Sequence, residues 1–369
     1  MVRTACQILP SLPDRAVVLT SVAAMAARPD HPFLQACRGL PAEHVPVWFM
    51  RQAGRSLPEY NRVKGELSIL EAVERPELAA ELTLQPVRRY GVDAAIFYSD
   101  IVVPARAVGF GIDVVPGLGP VAERPFRTPA DLDRLPVLVP EQHSPYVAAT
   151  VRILVEELGD RPLIGFAGAP FTVASYLIEG RPSRTYEQTK RMMLAEPELF
   201  NALLDRLADI AIASLRDQIE AGATAVQLFD SWAGTLSPPV YERHVLPHSR
   251  KVFEGIADLG VPRIHFGVGT GELLTLMADA GADVVGIDWR VPLDRARDRV
   301  PGKSVQGNLD PAVTFAGWDA TRQAVDDVLA RNGGRPGHVF NLGHGVLPNT
   351  DPDILTRIVD HVHEHGRAG

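Results

Sequence analysis

Two arginines follow a short apolar run near the start of the chain. Residues 46–50 (PVWFM) are typical of a buried strand, and Arg51 and Arg55 come directly after it on a segment that contains Gly54. The planar guanidinium group of arginine suits two-point recognition of a carboxylate or a phosphate. The segment therefore predicts a site for an anionic ligand, the alternative being two solvated arginines on a surface turn.

Four further polar side chains follow apolar runs. Asp100 ends the motif FYSD, and a carboxylate, which only accepts hydrogen bonds, would bind a donor-rich or cationic group; the alternative is a helix cap. His344 lies between two glycines that permit close ligand approach, and imidazole titrates near neutral pH; the alternative is a plain turn residue. Tyr176 and Ser231 are weaker signals, since either could satisfy a hydrogen bond of the core.

The spacing of apolar segments indicates which elements would position these side chains. Strand candidates span residues 46–50, 94–98, 162–167, 225–229, 262–266, 283–287, 304–308 and 338–342. Helix-like stretches lie between them, and two, 76–91 and 197–222, open with proline and close on glycine, as helices often do. Strand–helix alternation favours a parallel sheet, and eight units favour a single-domain α/β fold, the (β/α)8 TIM barrel. A doubly wound open sheet is the alternative.

In such a barrel the chemistry lies on the loops that follow the strands. Nearly every apolar run is followed by polar or ionisable side chains. In chain order these strand ends are Arg51, Asp100, residues 168–176, Asp230–Trp232, residues 267–271, Asp288–Trp289, Asn308–Asp310 and His344. The sequence therefore predicts one active site at this end of the barrel.

Composition excludes several classes of protein. A net charge of −8, from 37 basic and 45 acidic residues, argues against a nucleic-acid-binding surface, which needs a basic face. No run approaches the roughly 18 apolar residues of a membrane span. Cys6 and Cys37 both precede the first predicted strand, so no thiolate metal site is expected at the strand ends.

Two histidine motifs are also not expected to bind metal. Pro247 interrupts the helical spacing of residues 244–248 (HVLPH), and residues 361–365 (HVHEH) are interpreted as the solvated end of the C-terminal helix. Neither a P-loop nor a nucleophile-elbow motif is present. The residues alone therefore predict a barrel enzyme that acts on an anionic small molecule and uses no metal.

The first part of the chain is predicted to lie outside the barrel. Residues 1–30 are interpreted as a disordered leader and residues 31–369 as the barrel. The stretch AVVLTSVAAMAA after Arg15 faintly resembles the core of a signal peptide. The flanking prolines favour a leader instead, or translation that starts at Met25.

Several long segments resemble the uroporphyrinogen decarboxylase family. They are PVWFMRQAGRSLPEY, ELTLQPVRRYGVDAAIFYSDIVVP, PLIGFAGAPFTVASYLIEG, QLFDSWAG, VVGIDWR, QGNLDP and FNLGHGVLP, which together run from about residue 45 to residue 365. The resemblance implies a carboxy-lyase that is a cytoplasmic homodimer. It also implies conversion of uroporphyrinogen III to coproporphyrinogen III, by removal of four acetate carboxyls as carbon dioxide, without a metal or an organic cofactor.

The resemblance also implies roles for individual residues. The substrate-binding residues carried over by motif are Arg51, Gln52, Ala53, Gly54, Arg55, Asp100, Tyr176, Ser231 and His344. The arginines would bind acetates and propionates, and Asp100 would accept hydrogen bonds from the pyrrole N–H groups. The catalytic candidates are Arg51, Asp100, Tyr176 and His344. The proton donor stays open between Arg51, Tyr176, His344 and a water that they hold.

Two other functions compete with this interpretation. A corrinoid-dependent methyltransferase of the same superfamily would need a thiolate-containing zinc site at the strand ends. A non-catalytic tetrapyrrole carrier would use the same pocket, but it has no need of a carboxylate at the pyrrole centre.

Overall fold

The computed structural model describes residues 30–54 and 56–367. The predicted leader, apart from its last residue, and Arg55 therefore lie outside the described residues. The strands in the described part are β1 (Ala95–Ile96), β2 (Ile112–Val115), β3 (Gly119–Ala122), β4 (Leu163–Gly168), β5 (Ala225–Phe229), β6 (Arg263–Phe266), β7 (Val284–Gly286), β8 (Ser304–Gln306) and β9 (His338–Val339).

Seven of these strands form one parallel sheet. Its order is β1–β4–β5–β6–β7–β8–β9. Each strand of this sheet pairs with the strand of the same sheet that comes next along the chain. Helical crossovers join the strands, as parallel pairing requires. The predicted α/β barrel is confirmed, with one difference at its eighth position.

The eighth position is held by residues 45–50, which close the sheet into a ring. Val47 forms a parallel bridge with Phe340 beyond β9. On its other side, the carbonyl of Val47 accepts a hydrogen bond of 2.8 Å from the amide of Asp93, just before β1. The ring is therefore closed, but residues 46–50 do not form the continuous strand that was predicted for them.

Side chains take the place of strand partners along this segment. The amide of Val47 donates to the Asp93 carboxylate at 2.7 Å, and the amide of Met50 donates to the side-chain oxygen of Asn341 at 3.1 Å. Gln52 accepts from the amide of Phe49 at 3.0 Å. The segment is buried as predicted but is not a regular strand. An apolar pattern indicates burial, and it does not indicate which groups accept or donate the backbone hydrogen bonds.

The described part of the chain contains these α-helices: α1 (Pro32–Cys37), α2 (Pro58–Lys64), α3 (Ile69–Val73), α4 (Pro76–Tyr90), α5 (Val103–Ala107), α6 (Pro140–His143), α7 (Pro145–Leu158), α8 (Pro170–Glu179), α9 (Glu187–Ala195), α10 (Pro197–Ala221), α11 (Pro238–His244), α12 (Leu246–Glu254), α13 (Leu274–Asp279), α14 (Leu293–Arg299), α15 (Trp318–Asn332) and α16 (Pro352–His365). Short 3-10 helices span Pro129–Arg134, Ala233–Thr235, Ala257–Leu259, Gly271–Leu273 and Pro311–Phe315. The two helices predicted over 76–91 and 197–222 are confirmed as α4 and α10. None of the described helices has the length and apolar character needed to cross a membrane.

One antiparallel hairpin departs from the alternation. Strands β2 and β3 pair with Ile112 opposite Ala122, and the sequence analysis did not predict them. The amide of Ala122 donates to the carbonyl of Gly180 at 2.9 Å, at the end of α8. The hairpin is thereby held beside the helix that follows β4.

Polar and aromatic side chains fill the barrel in layers. Trp48 donates to Gln306 at 3.0 Å, and Gln306 donates to Gln227 at 2.8 Å, with all three side chains buried. These hydrogen bonds join β5 to β8, which are not neighbours in the sheet, so the side chains that form them point into the barrel. Because strand side chains alternate between faces, Phe229, two residues beyond Gln227, points inward as well.

Candidate active site

The predicted site residues lie at the ends of their strands, on one side of the barrel. Arg51 ends the closing segment, Asp100 follows β1, Tyr176 lies on α8 after β4, Ser231 follows β5 and His344 follows β9. Since the strands are parallel, their carboxyl ends meet at the same edge of the ring.

Arg51 is fixed by the backbone, and no ion pair joins it to a residue within 30–54 or 56–367. Its φ angle is 60°, in the left-handed region that few residues other than glycine adopt. Its aliphatic stem lies on Gly345, where an added Cβ would come within 2.6 Å of the Arg51 Cδ. The carbonyl of Met50 also accepts from the amide of Val346 at 2.8 Å. The loop after β9 therefore supports the arginine.

Asp100 is not the cap of the helix that follows it, because the N-cap of α5 is Val102 and it has no side-chain cap hydrogen bond. The Asp100 carboxylate accepts from the amide of Val102 at 3.1 Å, in the turn before α5. Burial raises the pKa of Asp100, and the amide of Val102 and the charge of Arg51 offset this only in part. Among the described residues it has no side-chain hydrogen-bond partner, which leaves acceptor capacity for a ligand.

His344 is a neutral imidazole in this site. Burial, with the charges of Arg51 and Arg290, lowers the pKa of His344 to about 4. Its Nδ1 accepts from the amide of Gly345 at 2.6 Å, so the proton of the neutral ring is on Nε2. The ring stacks on Trp289 with centroids 6.4 Å apart. His344 therefore presents one hydrogen-bond donor at neutral pH.

Tyr176 keeps its proton. Burial and the negative charge of Asp100 raise the pKa of Tyr176 to about 12. The ring meets Trp232 edge to face at 5.8 Å, and Trp232 in turn lies 5.5 Å from Tyr186. These aromatic contacts orient a phenol that donates at neutral pH.

One positive charge connects the four catalytic candidates. The charge of Arg51 lowers the pKa of Asp100, of Tyr176 and of His344. The interaction between two charges weakens with the distance between them, so three groups that all respond to Arg51 lie near it. The fold therefore brings Arg51, Asp100, Tyr176 and His344 together.

The rest of the predicted binding segment is placed differently. Gln52 is fully buried, and its amide nitrogen donates to the carbonyl of Ala94 at 3.3 Å. That side chain holds the closing segment against β1. Ala53 and Gly54 are half-buried on the turn, and Arg55 lies outside the described residues. Ser231 is half-buried, and its hydroxyl bonds to none of the residues described.

An aromatic layer beneath these groups was missed by the sequence analysis. Phe97 and Phe166 lie 5.1 Å apart, Phe166 and Phe229 lie 5.4 Å apart, and Phe229 and Phe266 lie 6.1 Å apart, measured between ring centroids. The rings belong to neighbouring strands and form an apolar floor. The inward alternation of Phe229 with Gln227 was the available signal.

No metal-ligating group of three His, Cys, Asp or Glu side chains occurs at this end of the barrel within residues 30–54 and 56–367. Such a group, made of His44, Asp93 and His363, lies at the opposite end. Cys37 is buried on α1, which precedes the closing segment, and its thiol pKa is raised by burial. The described residues thus offer no thiolate to a zinc ion at the strand ends.

Comparisons with known proteins connect this arrangement with one family. The family described as Uroporphyrinogen decarboxylase (URO-D) matches residues 28–365. A uroporphyrinogen decarboxylase of Streptomyces coelicolor is 63% identical over 335 residues, which are 90% of this chain and 94% of the relative. One of Salinispora tropica is 60% identical and covers 91% of this chain and 90% of the relative.

A solved structure shows the fold independently. A methyltransferase from Methanosarcina mazei superposes with a TM-score of 0.78 and covers 90% of this chain and 97% of its own, at 21% identity. At that identity the likeness concerns the barrel alone. The resemblance noted in the sequence motifs is confirmed by the family match.

Proposed function

This chain belongs to the uroporphyrinogen decarboxylase family, and we propose that it removes the four acetate carboxyls of uroporphyrinogen III to give coproporphyrinogen III. It is an enzyme, a carboxy-lyase of porphyrin biosynthesis. The observation that carries the assignment of roles is the Asp100 carboxylate, which lies near Arg51 and, among the residues described, accepts only from backbone amides.

Asp100 suits the centre of a porphyrinogen. Four pyrrole N–H groups converge there and need an acceptor, and a carboxylate accepts without donating. The low polarity that raises the pKa of Asp100 also strengthens its interaction with a positive charge. When a pyrrole ring is protonated, Asp100 stabilises the charge that develops.

The surrounding donors suit the substrate's carboxylates. Arg51 offers a fork of N–H groups, and His344 and Tyr176 each offer one donor at neutral pH. A hydrogen bond to a charged group contributes roughly 1.5–3 kcal/mol, so a few of them orient a large, flexible macrocycle. The phenylalanine floor complements its apolar faces.

Each decarboxylation can then proceed on the substrate's own electrons. A proton adds to a pyrrole carbon, the bond to the carboxylate breaks, and the electron pair of that bond flows into the ring as carbon dioxide leaves. A second proton forms the methyl group, and the first proton leaves the ring carbon. One proton is consumed for each carbon dioxide released, and no external electron sink is required.

Of the candidate proton donors, we favour His344. Binding of an anionic substrate favours the charged form of a nearby imidazole and moves the pKa of His344 upward from about 4, toward neutral pH. The same negative charge raises the pKa of Tyr176 further, away from neutral pH. A general acid works best when its pKa is near the working pH. The substrate's charge therefore makes His344 a better general acid and Tyr176 a poorer one.

Anaerobic turnover tests the function directly. Uroporphyrinogen III is incubated with the protein, the product is oxidised to the porphyrin, and its carboxyls are counted by mass spectrometry. We expect the eight-carboxyl substrate to become a four-carboxyl product. Substrate that binds but keeps all its carboxyls would indicate a carrier and would overturn the proposal.

The proposal extends to assembly and location. Family resemblance supports a homodimer that acts in the cytoplasm. Sedimentation of the full chain at several concentrations is expected to give twice the chain mass, and fractionation of cells is expected to recover activity with cytoplasmic markers.

A further inference from the structure

Three ligating side chains meet at the end of the barrel opposite the candidate active site. His44 Nε2 lies 2.9 Å from Asp93 Oδ1, and His363 Nε2 lies 2.7 Å from Asp93 Oδ2. Their ligand atoms are all within 4.8 Å of one another. The two imidazole rings are 4.4 Å apart between centroids and tilted by 57°. We call these three residues the basal triad.

The basal triad joins three separate parts of the chain. His44 precedes the closing segment, Asp93 precedes β1, and His363 lies on the C-terminal helix α16. Residues that precede barrel strands lie at the amino-terminal face, away from Arg51 and Asp100. The sequence analysis treated residues 361–365 as a solvated helix end, but His363 turns toward Asp93, and His361 is buried.

We propose that the basal triad binds a divalent transition-metal ion such as Zn²⁺, through two imidazole nitrogens and one carboxylate oxygen. Neutral imidazole and carboxylate are common zinc ligands, and three protein ligands leave one tetrahedral position for water. The two histidines now bond to different oxygens of Asp93, His44 to Oδ1 at 2.9 Å and His363 to Oδ2 at 2.7 Å. Two ligands of one tetrahedral zinc ion lie about 3.3 Å apart, so rotation of the partly exposed imidazoles is needed to bring both nitrogens around an ion that one carboxylate oxygen binds.

The carboxylate is already oriented for this task. Asp93 Oδ2 accepts from the amide of Val47 at 2.7 Å, and Asp93 is itself buried, with 8% of its surface exposed. Outer hydrogen bonds of this kind fix the direction of metal ligands. The His44 and His363 side chains are 22% and 30% exposed, so an ion can reach them from solvent.

Another histidine–aspartate contact in the same protein differs in the source of its positive charge. His248 Nδ1 lies 3.5 Å from Asp205, but the ammonium of Lys251 lies 3.1 Å from the same carboxylate oxygen. There a lysine supplies the positive charge. At the basal triad, no lysine or arginine of the described residues contacts Asp93. The imidazole of a second histidine contacts the carboxylate where the lysine does at Asp205.

The expected consequence of binding is structural. An ion at the basal triad clamps α16 to the strands at the barrel's closure, and any ligand bound only by the folded state stabilises that state. Decarboxylation should be insensitive to it, because the triad and the active site lie at opposite ends.

Calorimetric titration of the chelator-stripped full chain with Zn²⁺, and with Co²⁺ as an absorbing probe, tests the proposal. We expect one site in the wild type, tetrahedral Co²⁺ bands, and a thermal midpoint that rises with Zn²⁺. His44→Gln and His363→Gln should each weaken binding by at least about tenfold, the lower end of what losing a mere supporting residue costs. The matched control His248→Gln should bind as the wild type does.

Two further measurements make the outcome decisive. Decarboxylase turnover and circular dichroism of each variant confirm that it is folded, so weak binding is not read from an unfolded chain. His361 and His365, four residues apart on α16, are the competing pair of imidazoles on this helix. His365→Gln removes one member of that pair. The proposal is wrong if His44→Gln and His363→Gln bind as tightly as the wild type, or if His365→Gln alone abolishes binding.

Discussion

The two ends of the barrel carry the same kinds of side chain in opposite arrangements. At the amino-terminal end, Asp93 receives hydrogen bonds from His44 and His363. At the carboxyl-terminal end, Asp100 receives only backbone amides from the part of the chain that the structure describes, and the Nδ1 of His344 is bonded to the amide of the next residue. Asp93 is paired with two imidazoles that the protein itself supplies, whereas Asp100 keeps acceptor capacity for an organic substrate.

The pKa directions report the same difference. Burial alone would raise the pKa of Asp93, but the hydrogen bonds from His363 and His44 outweigh it and hold that pKa well below its usual range. Burial keeps the pKa of Asp100 raised. The hydrogen bond to Asp93 raises the pKa of His44, while burial lowers the pKa of His344. Pairing within the protein indicates a structural role, which an ion bound at the basal triad would reinforce, and ionisable groups without such pairing indicate a substrate site.

The strongest test of this comparison is Asp100→Asn. The amide keeps the shape but removes the charge and adds a donor to an acceptor site. We expect kcat/KM for the first decarboxylation to fall by about 10³-fold, the upper end of what removing one electrostatic stabiliser costs. The free energy of unfolding should change little. Turnover within a few-fold of the wild type would remove the role assigned to Asp100.

Arg51→Lys should have the next largest effect. Lysine keeps a positive charge and an aliphatic stem for Gly345 but cannot form the two-point contact of a guanidinium. The loss of one or two charge-assisted hydrogen bonds predicts a fall of about 10²-fold in kcat/KM. Arg88→Lys, at an exposed ion pair with Glu81, is the control and should be neutral. Equal activity of the two variants would contradict the substrate-binding role of Arg51.

Asp93→Asn should produce the reverse profile of Asp100→Asn. The substitution removes the negative charge of Asp93, with which both His44 and His363 interact. It also replaces one carboxylate acceptor by an NH₂ donor. We therefore expect the free energy of unfolding to fall by about 2 kcal/mol. Denaturant titration measures that loss, and kcat per folded molecule should stay near the wild-type value. A drop in kcat at unchanged stability would erase the distinction between the two ends.

The smallest expected effect is a pH signature at His44. Because its folded-state pKa is raised above the unfolded value, the charged contact with Asp93 stabilises the fold fully below about pH 6.5 and fades as pH rises through the folded pKa. We expect His44→Gln to be less stable than the wild type by about 1 kcal/mol at pH 6. The gap should narrow by pH 9. Unfolding curves across this range measure it, and a gap that widens with pH contradicts the sign.

The parts of the structure that are visible in the sequence are those set by local pattern. Alternating apolar runs located the barrel strands and the helices α4 and α10, because burial and helix ends leave short-range signals. The same order placed Arg51, Asp100, Tyr176 and His344 at one face. That face follows from parallel topology once the strands are known.

What the sequence did not reveal depends on distant partners. The basal triad brings together residues 49 and 270 positions apart, and no short motif records such pairs. Gln52 lies in the segment predicted to bind substrate, but its side chain bonds to the backbone of Phe49 and Ala94. The β2–β3 hairpin was overlooked although Pro116 and Gly117 mark its turn.

The support of Arg51 by Gly345 has a consequence for the order in which the protein comes into being. Arg51 leaves the ribosome early, but the loop on which it rests is made near the end of translation; the neighbouring contact between Met50 and Asn341 spans 291 residues. A nascent chain therefore carries the arginine long before it carries the surface that fixes it. With the role proposed for Arg51, chains that lack the loop after β9 are expected to be inactive, however well their early strands have folded.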